Sequence, residues 1–334
     1  MRPSVSIIVP CYNEQRTIGS LLGAIAAQTY PRARIEIVIA DGMSQDGTRG
    51  AIQAFAETNP GLSVRVVENS QRTIPAGLNL AMREARGEIM IRLDAHSIPI
   101  PEYVERCVQD LENGKGSNVG GVWTIRPGGD GWVAAGIAAA AGHPLGAGDA
   151  LYRLNAKAGE VDTVPFGAFR RDLLETVGDF DESLLTNEDY EFNTRIRRTG
   201  GVIWLDPEIR SLYVARSTLP ELARQYWRYG FWKFRMLLRY PGSLRWRQAI
   251  PPLFVLSIPL LALVALFWRS ALLVLGIELI VYVGALTLAS AAMAMRSRQL
   301  MVMPGMALAF MTMHAAWGGG FLWSLARRLV RFHE

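Results

Sequence analysis

Cysteine is nearly absent: the 334 residues hold two, Cys11 and Cys107. That excludes a disulfide framework and a cysteine-cluster metal site. Charge is sparse as well, 19% of residues against 50% apolar, which excludes global disorder. No long apolar run opens the chain, because Val5–Pro10 gives way to the polar Cys11-Tyr12-Asn13-Glu14, and no secretory leader is expected. A basic stripe is also missing. The net charge is +5, yet residues 249–334 carry six Arg against Glu278 and Glu334, so most of the excess flanks apolar segments. Nucleic acid is therefore excluded as a partner. At roughly 150 residues per domain the length suits about two.

Residues 1–125 alternate between short β-branched runs and helix-like spacing. Val5–Pro10, Ile35–Ala40, Val64–Val67 and Ile89–Leu93 read as buried strands. Glu14–Gln28, Asp46–Thr58 and Pro75–Ala85 read as helices between them, with Pro75 suited to a first helical position. Such alternation predicts a parallel-rich sheet covered by helices on both faces, with ligands at the carboxyl ends of the strands. Further on, Trp132–Gly148 is too short and glycine-rich to span a bilayer. Thr186–Arg198 reads as a helix and Val202–Leu205 as a strand.

After Ser217 the composition shifts. Leu219–Arg247 interleaves Tyr226, Trp227, Tyr229, Trp232 and Trp246 with arginines, the pattern of an amphipathic helix at a lipid headgroup layer. Three apolar stretches follow: Pro251–Trp268, Ala271–Met295 and Leu300–Ala326. A span needs about 20 apolar residues, so the second and third qualify comfortably and the first barely. The chain thus divides into a catalytic domain (1–217), an interfacial segment (218–249) and a membrane region (250–334) with two or three hydrophobic helices. A cytoplasmic N-terminal domain puts Arg269 outside and Arg296 and Arg298 inside, as the positive-inside rule prefers. Three full crossings would leave Arg327, Arg328 and Arg331 on the wrong side.

Polar residues gather where the strands end. Asp41-Gly42 and Asp46-Gly47-Thr48 follow the second strand; acids beside glycines suit a nucleotide pocket, and equally suit Asp-Gly turns and helix caps. After the fourth strand, Asp94-Ala95-His96 in extended form would place a carboxylate and an imidazole on one side. A hard divalent cation bridging a diphosphate needs one or two such ligands, Mn²⁺ suiting the imidazole alongside Mg²⁺. Glu188-Asp189 opens a helix, where the acids either complement the helix dipole or furnish a general base.

Taken in order, Pro10…Asn13-Glu14, Asp41-Gly42…Asp46-Gly47-Thr48, Arg72…Asn79, Asp94-Ala95-His96, Gly167-Ala168-Phe169-Arg170 and Glu188-Asp189 resemble the family 2 glycosyltransferases. Leu93-Asp94-Ala95-His96 with a short C-terminal membrane region is most similar to the succinoglycan-biosynthesis glucosyltransferase branch. The resemblance implies a GT-A fold, an α/β Rossmann-like mixed sheet flanked by helices, and an inverting transfer from a nucleotide-diphosphate sugar. It places Pro10, Asn13, Glu14, Asp41 and Asp46 at the nucleotide, Arg72 and Asn79 against it, and a Mn²⁺ or Mg²⁺ ion on Asp94 and His96. It makes Asp189 the base with Glu188 in support. Gln225-Tyr226-Trp227-Arg228-Tyr229 resembles the Gln-x-x-Arg-Trp motif of processive synthases, which implies Arg228 beside the leaving diphosphate.

The implied reaction moves a hexose, with glucose foremost, from a UDP-sugar to a polyprenyl-diphosphate-linked glycan at the bacterial inner membrane, the catalytic domain facing the cytoplasm. Membrane lipids and a lipid-linked saccharide are the implied partners. A processive polysaccharide synthase, a polyprenyl-phosphate glycosyltransferase and a catalytically silent membrane scaffold are the competing readings.

Overall fold

The computed structural model describes residues 2–154 and 156–331; Glu334, counted in the terminal charge balance, lies outside them. In chain order the elements are β1 (Val5–Cys11), α1 (Ile18–Ala26), β2 (Ile35–Asp41), α2 (Thr48–Thr58), β3 (Ser63–Glu68), α3 (Ile74–Glu84), β4 (Ile89–Arg92) and β5 (Ile98–Pro99). Then come α4 (Tyr103–Glu112), β6 (Asn118–Arg126), α5 (Trp132–Ala141), α6 (Pro144–Ala147), β7 (Gly159–Glu160), β8 (Ala168–Arg170), α7 (Leu173–Val177), α8 (Glu188–Arg198) and β9 (Ile203–Val214). The long helices α9 (Leu219–Arg239), α10 (Trp246–Val264), α11 (Ser270–Ser297) and α12 (Val302–Arg331) complete the chain. Two compact units result, Met1–Thr124 with Leu154–Tyr213, and Ile125–Arg153 with Val214–Glu334. The stretch 125–153 therefore groups with the C-terminal helices, a division that does not follow the chain in simple order.

The first unit is built on one mixed sheet in the order β3-β2-β1-β4-β8-β6-β9-β5, with β7 pairing β9. β1 runs parallel to both β2 and β4, so that Ile7 lies opposite Ile37 on one side and Ile91 on the other. β8 turns the direction, pairing antiparallel with β4 and β6. Parallel strands are covered on both faces, which is why β1 and β2 are buried almost end to end. α1 buries Ile18, Leu21, Leu22 and Ile25, and α4 buries Tyr103, Val104, Cys107, Val108 and Leu111, each a stripe of helical spacing.

Two boundaries differ most from the sequence reading. α1 starts at Ile18 rather than Glu14, because the intervening residues are committed to a loop: the Glu14 N–H donates to the Thr48 hydroxyl at 2.8 Å. β9 does not end at Leu205 but continues through Asp206-Pro207 to Val214, pairing β5 and β7.

In the second unit α9 is capped by Thr218, whose hydroxyl accepts from the Glu221 N–H, and buries Leu222, Tyr226, Gly230, Lys233 and Met236 along one face. Glycines bring its neighbour α12 unusually near. A Cβ on Gly230 would lie 2.0 Å from the Trp317 carbonyl oxygen, and one on Gly320 would lie 2.2 Å from that of Trp227. Gly136 of α5 meets Gly305 of α12 in the same way, at 2.2 Å. Small residues admit backbone against backbone, the packing that joins helices where no hydrophobic effect drives them together.

α10 and α11 are, among the described residues, the two helices long and apolar enough to cross a membrane. Their outer faces leave Leu260, Leu263, Leu273, Ile280 and Leu288 more than half exposed. α12 falls short of that combination, whereas the sequence reading has the third apolar stretch qualify comfortably by length. Its glycines, tryptophans and His314 dilute its hydropathy, and Met306, Ala309, Phe310 and Met313 are buried within the unit. The first stretch, in contrast, gains a turn from Trp246 and qualifies. Several polar groups of these helices are paired with one another: the Ser257 hydroxyl donates to Glu278 at 2.6 Å, and Tyr282 and His314 share a hydrogen bond of 3.0 Å.

Candidate functional site

The first unit collects its polar residues beyond the carboxyl ends of β1, β2, β3 and β4. Three non-glycine residues there adopt the left-handed region: Asn13 (φ 53°) after β1, Met43 (φ 63°) after β2 and Arg72 (φ 55°) after β3. Backbone of this kind costs about 1–3 kcal/mol per residue and persists where surroundings enforce it, often at functional sites.

The loops after β1 and β2 are stitched together. The Asn13 N–H donates to the Ser44 hydroxyl at 2.9 Å, and the Gln45 N–H donates back to Asn13 Oδ1 at 2.8 Å. Asp46 accepts from the Thr48 N–H at 3.0 Å and from the Gln15 N–H at 3.2 Å, so its carboxylate is occupied in closing the loop. These contacts hold Asp46 ionised below the usual carboxylate range, the Thr48 hydroxyl contributing most. Asp41 ends β2 fully buried, accepting from Arg49 Nε and, at 3.1 Å, from the Ser44 N–H. Pro10 lies beside Ala40 in the sheet and beneath Gly77 of α3. Arg72 extends over the Tyr12 ring at 6.0 Å. Asn79 is turned elsewhere: its amide donates to the Phe180 carbonyl and to Glu182, both at 2.9 Å, and accepts from the Phe180 N–H at 2.8 Å.

β4 delivers Asp94 and His96 into a turn, not the extended dipeptide expected, closed by Ser97 donating N–H and hydroxyl to the Asp94 carbonyl. The two side chains consequently take different partners. His96 Nδ1 lies 3.2 Å from Glu14 Oε1, joining the β1 loop to the β4 turn. Burial alone would raise the Glu14 carboxyl, but hydrogen bonds from His96 and Thr17 outweigh it and hold it low. Asp94 Oδ1 accepts from Arg92 Nη2 at 3.0 Å.

Arg92 is the residue that sequence reasoning missed. It lies in β4, 3% exposed, and reaches across to the start of α8. Its Nη2 also donates to Glu188 Oε1 at 2.9 Å, and its Nη1 donates to Asp189 Oδ1. Residues some 95 positions apart in the chain thereby meet on one guanidinium. Surrounding carboxylates outweigh the burial penalty and raise the Arg92 pKa further, keeping it charged. For Asp189 burial dominates: it pushes the carboxyl up to about 7 against the pull of Arg92, with Glu188 and Asp94 adding repulsion. Its side chain stays 27% exposed, so an approaching hydroxyl can reach it.

α8 is anchored independently of these charges. Asn193 bonds Asn118 at 2.7 Å and Thr163 at 2.9 Å, and Phe192 stacks on Phe180 at 4.4 Å. The motif glycine Gly167 leaves room for that anchor, since a Cβ there would lie 2.2 Å from Asn118 Oδ1.

Among the described residues no group of three or more His, Cys, Asp or Glu is arranged to hold a metal ion. Asp94 and His96 offer one carboxylate and one imidazole, a set that suits a cation whose remaining positions are filled by phosphate and water. Arg228 lies on α9, in the second unit.

A mixed sheet with acids gathered past the ends of its parallel strands defines a GT-A fold. The chain belongs to glycosyl transferase family 2, whose profile matches residues 6–178. It is 31% identical over 318 residues to the succinoglycan biosynthesis protein ExoA of Rhizobium meliloti, covering 94% of this chain and 93% of that one. It is 27% identical to the dolichyl N-acetyl-alpha-D-glucosaminyl phosphate 3-beta-D-2,3-diacetamido-2,3-dideoxy-beta-D-glucuronosyltransferase of Methanococcus voltae, over 83% of this chain and 88% of that protein. Among solved structures it is similar to a mannosyltransferase of Pyrobaculum calidifontis in complex with GDP-mannose and Mn²⁺. There the TM-score is 0.63 at 24% identity, covering 97% of this chain and 88% of the other.

Proposed function

We propose that the protein is a membrane-anchored, inverting hexosyltransferase that moves a sugar, glucose first among candidates, from a UDP-sugar to a polyprenyl-diphosphate-linked glycan in exopolysaccharide or cell-surface glycan synthesis. The observation that carries this reading is the meeting of Asp94, Glu188 and Asp189 on Arg92, which joins the donor-side turn to a burial-shifted carboxylate. The relatives, one in succinoglycan biosynthesis and one named for a dolichyl-linked saccharide phosphate, support a lipid-linked acceptor.

In this reading Asp189 accepts the proton of an acceptor hydroxyl as that oxygen attacks the anomeric carbon opposite the diphosphate. Inversion follows from the single in-line displacement. Glu188 keeps a second negative charge beside the base, and the low polarity that raises the Asp189 pKa brings it near neutrality, where a general base works best. The clasped loops bearing Asn13, Glu14, Asp41 and Asp46 shape the nucleotide side, with Pro10 beneath and Arg72 at the rim. Asp94 and His96 would hold Mn²⁺ or Mg²⁺, which supplies positive charge to the departing diphosphate. Arg228 is assigned to the diphosphate on its sequence motif. α10 and α11 are read as the membrane anchor, with the catalytic unit on the cytoplasmic side.

Radiolabel transfer from UDP-glucose into lipid-extractable product, using membranes with a polyprenyl-linked acceptor pool and Mn²⁺ or Mg²⁺, tests the reading. Wild type should label the lipid fraction. Asp189→Asn should lose activity by about 10²–10⁴-fold, the usual scale of general base catalysis, while donor binding persists. Label independent of Asp189 would overturn the assignment of the base.

A further inference from the structure

None of the roles assigned above uses Arg92, although it is among the most buried charges of the first unit. A buried guanidinium is tolerated when its charge and its donors are matched, and one carboxylate would meet the charge. Here three converge, and they are divided unequally. Nη1 serves Asp189, whereas Nη2 is shared between Asp94 at 3.0 Å and Glu188 at 2.9 Å, with Nε a further 3.3 Å from Asp94. A planar fork of fixed donor directions thus spans the β4 turn and the first turn of α8.

The Asp94 oxygen it holds belongs to the carboxylate read as a cation ligand, and a guanidinium and a divalent cation repel each other at such range. We propose that Arg92 is a positioning residue coupling donor loading to the base: it ties Asp94, Glu188 and Asp189 together in the unloaded enzyme, and a cation arriving at Asp94 displaces its hold there, leaving the fork to Glu188 and Asp189. Nη1 then orients the base when the donor is in place. This rests on the assignment of Asp94 as a metal ligand and Asp189 as the base.

The test uses the detergent-solubilised full chain and two readouts, Mn²⁺ binding followed by the loss of its free electron-spin signal without donor or acceptor, and steady-state transfer. Arg92→Gln removes the competing charge and should bind Mn²⁺ at least threefold more tightly while kcat falls at least 100-fold. Arg92→Lys keeps the charge but not the fork; kcat should fall at least 30-fold with the donor KM within threefold. A merely structural arginine would weaken Mn²⁺ binding and turnover together, so unchanged or weaker Mn²⁺ binding in Arg92→Gln overturns the coupling. Should Arg92→Gln not fold, an unaltered kcat in Arg92→Lys overturns it alone. Wild-type protein that neither binds Mn²⁺ nor transfers sugar overturns the underlying functional reading instead.

Discussion

Asp189 and Asn79 show how one residue's surroundings decide what it does. As the proposed base, Asp189 must be deprotonated to accept a proton, and burial pushes its carboxyl up to about 7. The kcat/KM profile, which reports free-enzyme ionisations, should therefore fall about tenfold per unit as pH drops below 7 and level off above about 8. A limb near the ordinary aspartate value would remove Asp189 from the role. Asn79, placed against the nucleotide by the sequence motif, spends its amide on Phe180 and Glu182. Asn79→Ala strands buried polar groups of the 180–182 turn, at about 1–3 kcal/mol for each unmatched group. Thermal unfolding should shift down while the donor KM of the folded enzyme stays within twofold; a tenfold KM rise at unchanged stability would instead support the nucleotide-side role. Motif acids were legible because they follow apolar runs whose ends the sequence marks. Arg92 was not, since a lone arginine inside Ile89–Leu93 gives no hint that its partners lie beyond residue 187.

At the scale of elements, legibility tracked period and composition. β1, β2 and β4 were readable from β-branched runs, and the helical stripes from spacing. The start of α1 was not, because the Glu14–Thr48 bond that delays it joins segments far apart in sequence. The packing of α12 was not readable either: apolar content alone does not reveal a helix whose glycines press on neighbouring backbones. Gly230→Ala tests that packing. Its Cβ would meet the Trp317 carbonyl, forcing α9 and α12 apart at about 1–3 kcal/mol. Gly276→Ala, in α11 with nothing within 4 Å of the added carbon, is the matched control and should be neutral or slightly stabilising. Thermal unfolding in detergent reads both, and equal effects would refute the packing argument.

For the whole molecule, the proposed reading makes the hairpin of α10 and α11 the membrane anchor, while α12 packs on its glycines against α5 and α9. Replacing residues 246–297 with a flexible linker should release the protein from carbonate-washed membranes while leaving Mn²⁺ binding within threefold. Continued membrane retention would mean that α12 or α9 holds the chain there. The second unit is also assembled from two stretches far apart in sequence. α5 emerges from the ribosome some 170 residues ahead of Gly305, its partner on α12. At about 5–20 residues per second, α5 waits on the order of 10–30 s without the surface that will cover it. Six of the ten residues of α5 are alanine, so apart from Trp132, Val133 and Ile137 the helix exposes little sticky area in that interval. The smallness that lets two backbones touch in the finished protein also makes the nascent chain a poor target for aggregation while synthesis catches up.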